Sequence, residues 1–285
     1  MSVGRAPLLA GLDLQQMLGV EIGPLDRPIL RRDLGWRALF ADHADTRSLA
    51  AKYADDPGVD VSRLAPIDLV WDPAHGLDAL LAAGGAPADY VVASHVVEHV
   101  PDLLGWLAAL RRVLRPGGEI RLVVPDKRFC FDCHRAETTL ADILAAKVAA
   151  PASPPIARIA DQFLHVVEAD AAAIWAGRPP PPPAIDAARW AWAEGVCREV
   201  LDSGRYQDVH CWIFTPRSFC SLMARLCEFA ALDFECSLFR DTEPDGLEFL
   251  AGLRRPLASD PAAAAAGWRD AAARAVAAPP DAAQG

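Results

Sequence analysis

The sequence predicts a doubly wound α/β domain interrupted by a helical insertion. Three observations lead there. Short apolar runs alternate with helical patterns through residues 1–127. Residues 88–127 read as strand, polar turn, helix, glycine turn and strand, a βαβ unit whose strands should be parallel. After a long helical, proline-rich stretch the alternation resumes near residue 210.

In chain order, Pro7–Met17 reads as a helix leading into a strand at Leu18–Ile22. A second apolar run, Trp36–Ala41, ends at Asp42, and Thr46–Tyr53 reads as a helix. A third strand near Ala65–Val70 ends at Trp71-Asp72, and Gly76–Ala83 reads as a helix broken by Gly84-Gly85. Tyr90–Ala93 is too short for a helix and long enough for a buried strand. Pro101 and Asp102 suit a helix start, and Leu103, Trp106, Leu107, Leu110, Val113 and Leu114 share one helical face. Pro116-Gly117-Gly118 should stop that helix before a strand at Ile120–Val124. Helical patterns then cover Glu137–Ala149, Ile156–Ala173 and Ile185–Leu201, around a stiff run of prolines at Pro179–Pro183. Thr215-Pro216 should cap a further helix. Asp233–Phe239 and Leu247–Leu253 should close the sheet as an antiparallel pair across Glu243-Pro244-Asp245-Gly246. The expected organisation is a core of residues 1–127 and 210–255, a helical insertion of residues 128–209 and an Ala/Pro-rich flexible tail of residues 256–285.

Bulk properties narrow the function. The 285 residues are 52% hydrophobic, enough for a real core, with a formal net charge of -10. That charge argues against nucleic acid as a partner. No apolar run approaches membrane-spanning length, and the stretch at Pro7–Leu12 makes no convincing signal peptide. The seven cysteines are an odd number, which fits reduced thiols and a cytoplasmic location. The partner to expect is a small molecule.

Ligands of such sheets sit at the carboxyl ends of the strands, so the residues there are the candidates. Glu21-Ile22-Gly23-Pro24-Leu25-Asp26 follows the first strand; one glycine there permits close approach to backbone, but the dinucleotide fingerprint G-x-G-x-x-G is missing. Asp42 ends the second strand, where a carboxylate can accept from two ribose hydroxyls. Asp72, with Asp68 as rival, ends the third, where it could accept from a purine amine. Ser94-His95-Val96-Val97-Glu98-His99 follows the fourth. It matches H-x-x-E-H, a zinc-protease pattern that needs a long helix, and Pro101 leaves room for about one turn. It reads instead as a ligand-facing turn bearing a histidine base, with no metal assigned. Asp126 and Lys127 leave the fifth strand where a substrate would lie. Cys130-Phe131-Asp132-Cys133-His134 is formally C-x-x-C-H, but haem attachment needs export and a zinc knuckle needs a second pair. His210, beside aromatics at the return to the core, could face the cleft. Trp175, Trp190 and Trp192 could line a pocket, though such spacing is more often packing.

Glu21-Ile22-Gly23-Pro24, Ala93–Asp102 (ASHVVEHVPD) and Val124–Arg128 (VPDKR), followed by LRPGG at Leu114–Gly118 and the pattern His210–Phe219, resemble class I S-adenosylmethionine-dependent methyltransferases. The resemblance covers roughly residues 14–255. It implies a Rossmann-like seven-stranded sheet with an antiparallel last strand and S-adenosylmethionine as cofactor. It also implies that Glu21 and Gly23 hold the cofactor's methionine end, Asp42 its ribose and Asp72 its adenine. Ser94 and His95 would lie near the sulfonium. Pro24 and Leu25 stand where the broader family has further glycines. The expected activity is methyl transfer to an O or N atom of a small polar acceptor, such as a sugar, with His99, His95 or His210 as base. The alternatives are a non-catalytic module that keeps the fold and binds the cofactor, and a dinucleotide-dependent dehydrogenase, which the missing glycines disfavour.

Overall fold

The computed structural model describes residues 5–71 and 87–275. One seven-stranded sheet organises them. Its strands are β1 (Gly19–Ile22), β2 (Ala38–Asp42), β3 (Leu69–Val70), β4 (Ala88–Ser94), β5 (Leu114–Pro125), β6 (Glu235–Arg240) and β7 (Glu248–Arg254), in the order β3-β2-β1-β4-β5-β7-β6. β7 runs antiparallel to both of its neighbours, and the pairs from β3 to β5 are parallel. The strand order reverses between β1 and β4, which places the ligand crevice of an open α/β sheet at Ile22-Gly23 and Ser94-His95.

The central strands β1, β4 and β5 are buried on both faces, as parallel strands require. On one side Val20, Ile22, Val91, Ala93, Ile120, Leu122 and Val124 pack under helices. These include α3 (Leu103–Val113) and α8 (Pro216–Glu228); α1 (Arg5–Leu9) and α2 (Thr46–Lys52) precede them in the chain. On the other side Phe40, Tyr90, Val92 and Leu250 meet Leu8, Leu9, Ile29 and Leu30. Asp102 caps α3 through the Gly105 N–H at 3.0 Å, and a side chain at Gly105 would strike that carboxylate. Thr215 and Ser218 form a reciprocal capping box at α8, with Pro216 in its first turn.

Several boundaries differ from expectation for local reasons. α1 ends at Leu9, and Gly11 adopts a left-handed φ of 80°, so Pro7–Met17 is not one helix. Leu114 already pairs with Ala88, so the strand expected from Ile120 starts at the end of α3. The stretch Ile156–Ala173 is two helices, α5 (Ile156–His165) and α6 (Ala171–Trp175), because Asp170 caps a fresh start. They follow α4 (Leu140–Ala149) and precede α7 (Ala187–Ser203). Pro179–Pro183 belongs to no helix or strand. Ile143, Ala146 and Ile159 from this region join the main core.

The largest correction is at the end of the chain. The tail expected to be flexible contains α9 (Pro261–Arg274), packed on α8 and β6. Its Trp268 is fully buried and donates from Nε1 to the Phe234 carbonyl at 2.9 Å. Alanine is the best helix former, and Ala264, Ala265, Trp268 and Ala271 line one buried face. The composition that suggested disorder therefore builds a helix once there is a surface to cover. The expected helix Gly76–Ala83 and Asp72 lie outside the described residues, as does the chain beyond Ala275. No helix among the described residues is long and apolar enough to cross a membrane.

Candidate functional site

The crevice between β1 and β4 has two walls. On the first, Gly23 leaves β1 with φ of 68°, and a Cβ there would lie 3.0 Å from Val96 Cγ2. Only glycine takes this turn without strain. Glu21, expected at the cofactor's methionine end, is buried; its two oxygens accept from the Ile29 and Leu30 N–H groups at 2.8 and 2.7 Å. It therefore shapes the loop that follows Gly23. Asp42 ends β2, buried, with Oδ1 accepting from the His43 N–H at 2.7 Å; no described residue hydrogen-bonds to Oδ2. Asp68, the rival of Asp72, is occupied by the Phe40 N–H and by Arg32.

The second wall is the turn after β4. The Ser94 hydroxyl makes no hydrogen bond with a described residue. His95 has φ of 52°, which swings the chain off the strand. His95 Nε2 lies 2.7 Å from a Glu248 oxygen and Nδ1 lies 3.4 Å from Glu98 Oε1. Burial by itself would lower the His95 pKa, but these two carboxylates raise it to about 10. Both ring nitrogens of His95 face carboxylates, so of the three histidines expected as base it is the one with no nitrogen turned to a methyl acceptor. Residues 97–99 form a turn closed by the His99 N–H on the Val96 carbonyl, so the H-x-x-E-H pattern stands on no helix.

Glu98 is completely buried at the centre of this turn. The imidazoles of His95, His99 and His210 surround it, with nitrogens 3.4, 3.9 and 4.0 Å from Oε1. Neither carboxylate oxygen has a well-formed hydrogen bond. Burial would push the Glu98 pKa up, but the imidazoles hold it below the usual carboxylate range. The Glu98 carbonyl accepts from the Cys211 N–H at 2.6 Å, which brings residue 210 to the turn. The Trp212 indole adds a bond to the Val100 carbonyl at 2.6 Å.

Two further carboxylates orient these imidazoles, and sequence reasoning missed both. His99 Nδ1 lies 2.9 Å from Asp208 Oδ1, and His210 Nδ1 lies 2.5 Å from Asp132 Oδ2. Each pairing fixes a ring with Nε2 towards Glu98. Burial would lower the His99 pKa, but Asp208 and Glu98 raise it. Arg135, fully buried, ties the assembly together. It donates to Asp132, to Asp161 and Gln162 of α5, and to the His210 carbonyl. The available signal was Asp132 inside C-x-x-C-H and an arginine nearby, in a stretch whose cysteines draw the eye. Those cysteines are thiols, as are the other five, and burial raises the Cys130 pKa.

Asp126 and Lys127 part company at the end of β5. Asp126 is fully buried and takes bonds from Arg128 and, at 2.7 Å, from the Thr242 hydroxyl. It closes the strand end and has nothing left for a substrate, so that expectation is corrected for Asp126. Lys127 is half-buried beside it, and its ammonium pairs with no described residue. Of the tryptophans, Trp175 stacks on Phe129 with centroids 4.2 Å apart and bonds to the Gly246 carbonyl, so it packs α6 down. Trp190 is exposed. Trp192 lines a groove of about 900 Å³ with Phe131, Val167 and Pro180–Pro183.

The residues present fit the cofactor that the resemblance implies. The Gly23 turn is a cradle that a side chain would fill, and Asp42 and Ser94 offer an acceptor and a hydroxyl on its two sides. Comparison with known proteins agrees with this geometry. Residues 16–226 match the family described as "Methyltransferase domain". The ubiquinone biosynthesis O-methyltransferase of Methylobacterium sp. (strain 4-46) is 38% identical over 120 residues, covering 40% of this chain and 43% of the relative. Its namesake from Caulobacter vibrioides is 32% identical over 114 residues, 40% of each chain. The chain thus spans less than half the length of these curated relatives. A solved SAM-dependent methyltransferase from Methanosarcina mazei aligns over 90% of this chain and all of its own, at 15% identity and a TM-score of 0.42. On the family match, which runs through β1 to α8, the chain belongs to the methyltransferase-domain family, whose class uses S-adenosylmethionine as cofactor.

Proposed function

We propose that this protein moves a methyl group from S-adenosylmethionine to a hydroxyl oxygen of a small polar acceptor, with a polyhydroxylated ring such as a sugar or a phenol as the class to test first. The observation that carries the reading is where polar valences are left open. Asp42 Oδ2, the Ser94 hydroxyl and Glu98 gather at the carboxyl ends of β2 and β4, on either side of the left-handed Gly23 turn. Both curated relatives are named O-methyltransferases, which favours oxygen over nitrogen.

When bound, the cofactor supplies an electrophilic methyl on a cationic sulfur that leaves as a neutral thioether. The chain's part is alignment and exclusion of water. Gly23 lets the backbone approach, Asp42 accepts from the ribose hydroxyls and Ser94 closes the crevice. The acceptor's proton passes to the imidazole pair His99 and His210, whose Nδ1 atoms are committed to Asp208 and Asp132 and whose Nε2 atoms face inward. His95, held as a cation, sets the field. The helical insertion of residues 128–209, with the groove at Phe131 and Trp192, serves as the acceptor cap, and Lys127 reaches the acceptor from β5. The cytoplasm is the compartment this reading assigns.

Isothermal titration with S-adenosylmethionine and transfer of a radiolabelled methyl to a panel of sugars and phenols test the proposal. Wild type should bind and transfer, Asp42→Ala should lose binding, and His99→Asn should bind but not transfer. Absence of binding by wild type defeats the cofactor assignment. Binding without transfer to any acceptor would mark a non-catalytic module.

A further inference from the structure

We propose that Glu98, His99 and His210 form a binding site for a divalent transition-metal ion of the zinc type. The inference rests on side-chain geometry and needs no premise about methyl transfer. One possible ligand atom from each of the three residues lies within 4.8 Å of the other two. A tetrahedral zinc ion with bonds of about 2.0–2.1 Å places neighbouring ligand atoms about 3.4 Å apart. The Oε1–Nε2 separations of 3.9 and 4.0 Å are thus within a small side-chain adjustment of a closed ligand set. His99, whose side chain is 31% exposed, has room to make it.

Three independent features point to an ion rather than to an inert ion pair. Glu98 is fully buried, and although His95 Nδ1 lies 3.4 Å away, neither oxygen completes a hydrogen bond. Such a group is costly unless something satisfies it. Both histidines carry the outer-shell carboxylate that metal-bound imidazoles require: Asp208 on His99 Nδ1 and Asp132 on His210 Nδ1. Those pairings orient the rings and leave each Nε2 as the ligand atom. The surrounding charge also suits a dication. The carboxylates of Glu98, Asp132, Asp208 and Glu248 lie against the imidazoles of His95, His99 and His210, with Arg135 on Asp132 as the paired guanidinium.

The ligand set also differs from the one that the H-x-x-E-H spacing suggests. His95 has its Nε2 on Glu248 at 2.7 Å and its Nδ1 3.4 Å from Glu98 Oε1, so both its nitrogens face carboxylates, and His210, over a hundred positions later in the chain, supplies the second imidazole of the set. Three protein ligands leave one position of a tetrahedral ion unfilled by the chain, the pattern of a catalytic rather than a structural site. If the methyl-transfer proposal also holds, an ion there would polarise the acceptor hydroxyl, so that the imidazoles no longer have to accept its proton directly.

The test uses full-length protein stripped with a chelator and titrated with Zn2+ by calorimetry, then with Co2+ followed by its visible absorption. Wild type should bind one equivalent of Zn2+, and Co2+ should give the intense bands of a tetrahedral site. His99→Ala and His210→Ala should each weaken Zn2+ at least 100-fold. Asp132→Asn, which changes only a positioning residue, should weaken it 10- to 100-fold. His134→Ala, in the C-x-x-C-H segment, should leave the affinity unchanged. Circular dichroism of each metal-free variant checks the fold, with His99→Gln as a milder substitute should an alanine variant fail. S-adenosylmethionine titrated into metal-free wild type separates the two proposals: its binding stands or falls on Gly23 and Asp42. No stoichiometric ion in wild type, or an affinity indifferent to both histidines, would overturn the site.

Discussion

Asp126 and Glu98 are both fully buried carboxylates near the carboxyl ends of adjacent strands, and they are in opposite states. Asp126 is saturated by the Arg128 guanidinium and backbone and by Thr242. Glu98 has three imidazoles around it and no completed hydrogen bond. The difference teaches how to tell a structural carboxylate from a functional one in this fold. A saturated acid at a strand end holds a turn closed. An acid kept buried and unsaturated is stable only because neighbouring charge stands in for solvent, and it is ready to take a ligand. Glu119 repeats the saturated case in the middle of β5, with Arg121, Arg254 and Ser237 as partners.

The sharpest way to break the contrast is to remove each acid. Asp126→Ala should cost about 3–5 kcal/mol, because it takes the nearest carboxylate from a largely buried guanidinium and leaves the Thr242 hydroxyl without its acceptor. Glu98→Gln should cost less, about 1–2 kcal/mol, since it discards a buried charge that neighbouring imidazoles favour but that completes no hydrogen bond. Urea unfolding measures both, and equal losses would show that Glu98 is an ordinary structural ion pair. Glu119→Gln should cost about 2 kcal/mol at neutral pH, in the range of hydrogen bonds to charged groups. Burial would raise the Glu119 pKa, but Arg121, Ser237 and Arg254 hold it lowered. Its contribution is therefore fully present above the unfolded value near 4.5 and is lost as pH falls through the folded one, so melts of wild type and variant should converge in acid. Gly23→Ala introduces a side chain at a left-handed position and should cost about 1 kcal/mol. Its loss of S-adenosylmethionine affinity should exceed what that stability change explains. Lys127→Gln should have the smallest effect on stability, within about 0.5 kcal/mol, while raising the KM for the acceptor. A large stability loss there would put Lys127 in the same structural class as Asp126.

Much of the fold was legible because periodicity reports burial directly. The run Tyr90–Ala93 and the helical face from Leu103 to Leu114 needed no tertiary knowledge. The expected strand ends did carry the crevice residues Gly23, Asp42 and Ser94. Legibility failed where one composition permits two outcomes. An alanine-rich stretch reads as a tail until a docking surface exists, and here β6 and α8 provide it for Trp268. It failed again where side chains compete for partners. Asp126 and Lys127 are adjacent and equally polar in the sequence, but Thr242 and Arg128 reach only Asp126.

The histidine turn marks the boundary between the two kinds of information. By itself the sequence determined that a polar, histidine-bearing turn follows a buried strand and precedes a capped helix, since hydrophobic spacing, Pro101 and Asp102 are local signals. Only the tertiary structure decided which histidines work together. The backbone bond from Cys211 to the Glu98 carbonyl and the buried Arg135 bring His210 to the turn, while Glu248 takes up Nε2 of His95. Contacts between residues far apart in the chain leave no period in the sequence. They follow from how the sheet and the segments around it pack, and that packing turned the eye-catching H-x-x-E-H spacing into a different cluster with different chemistry.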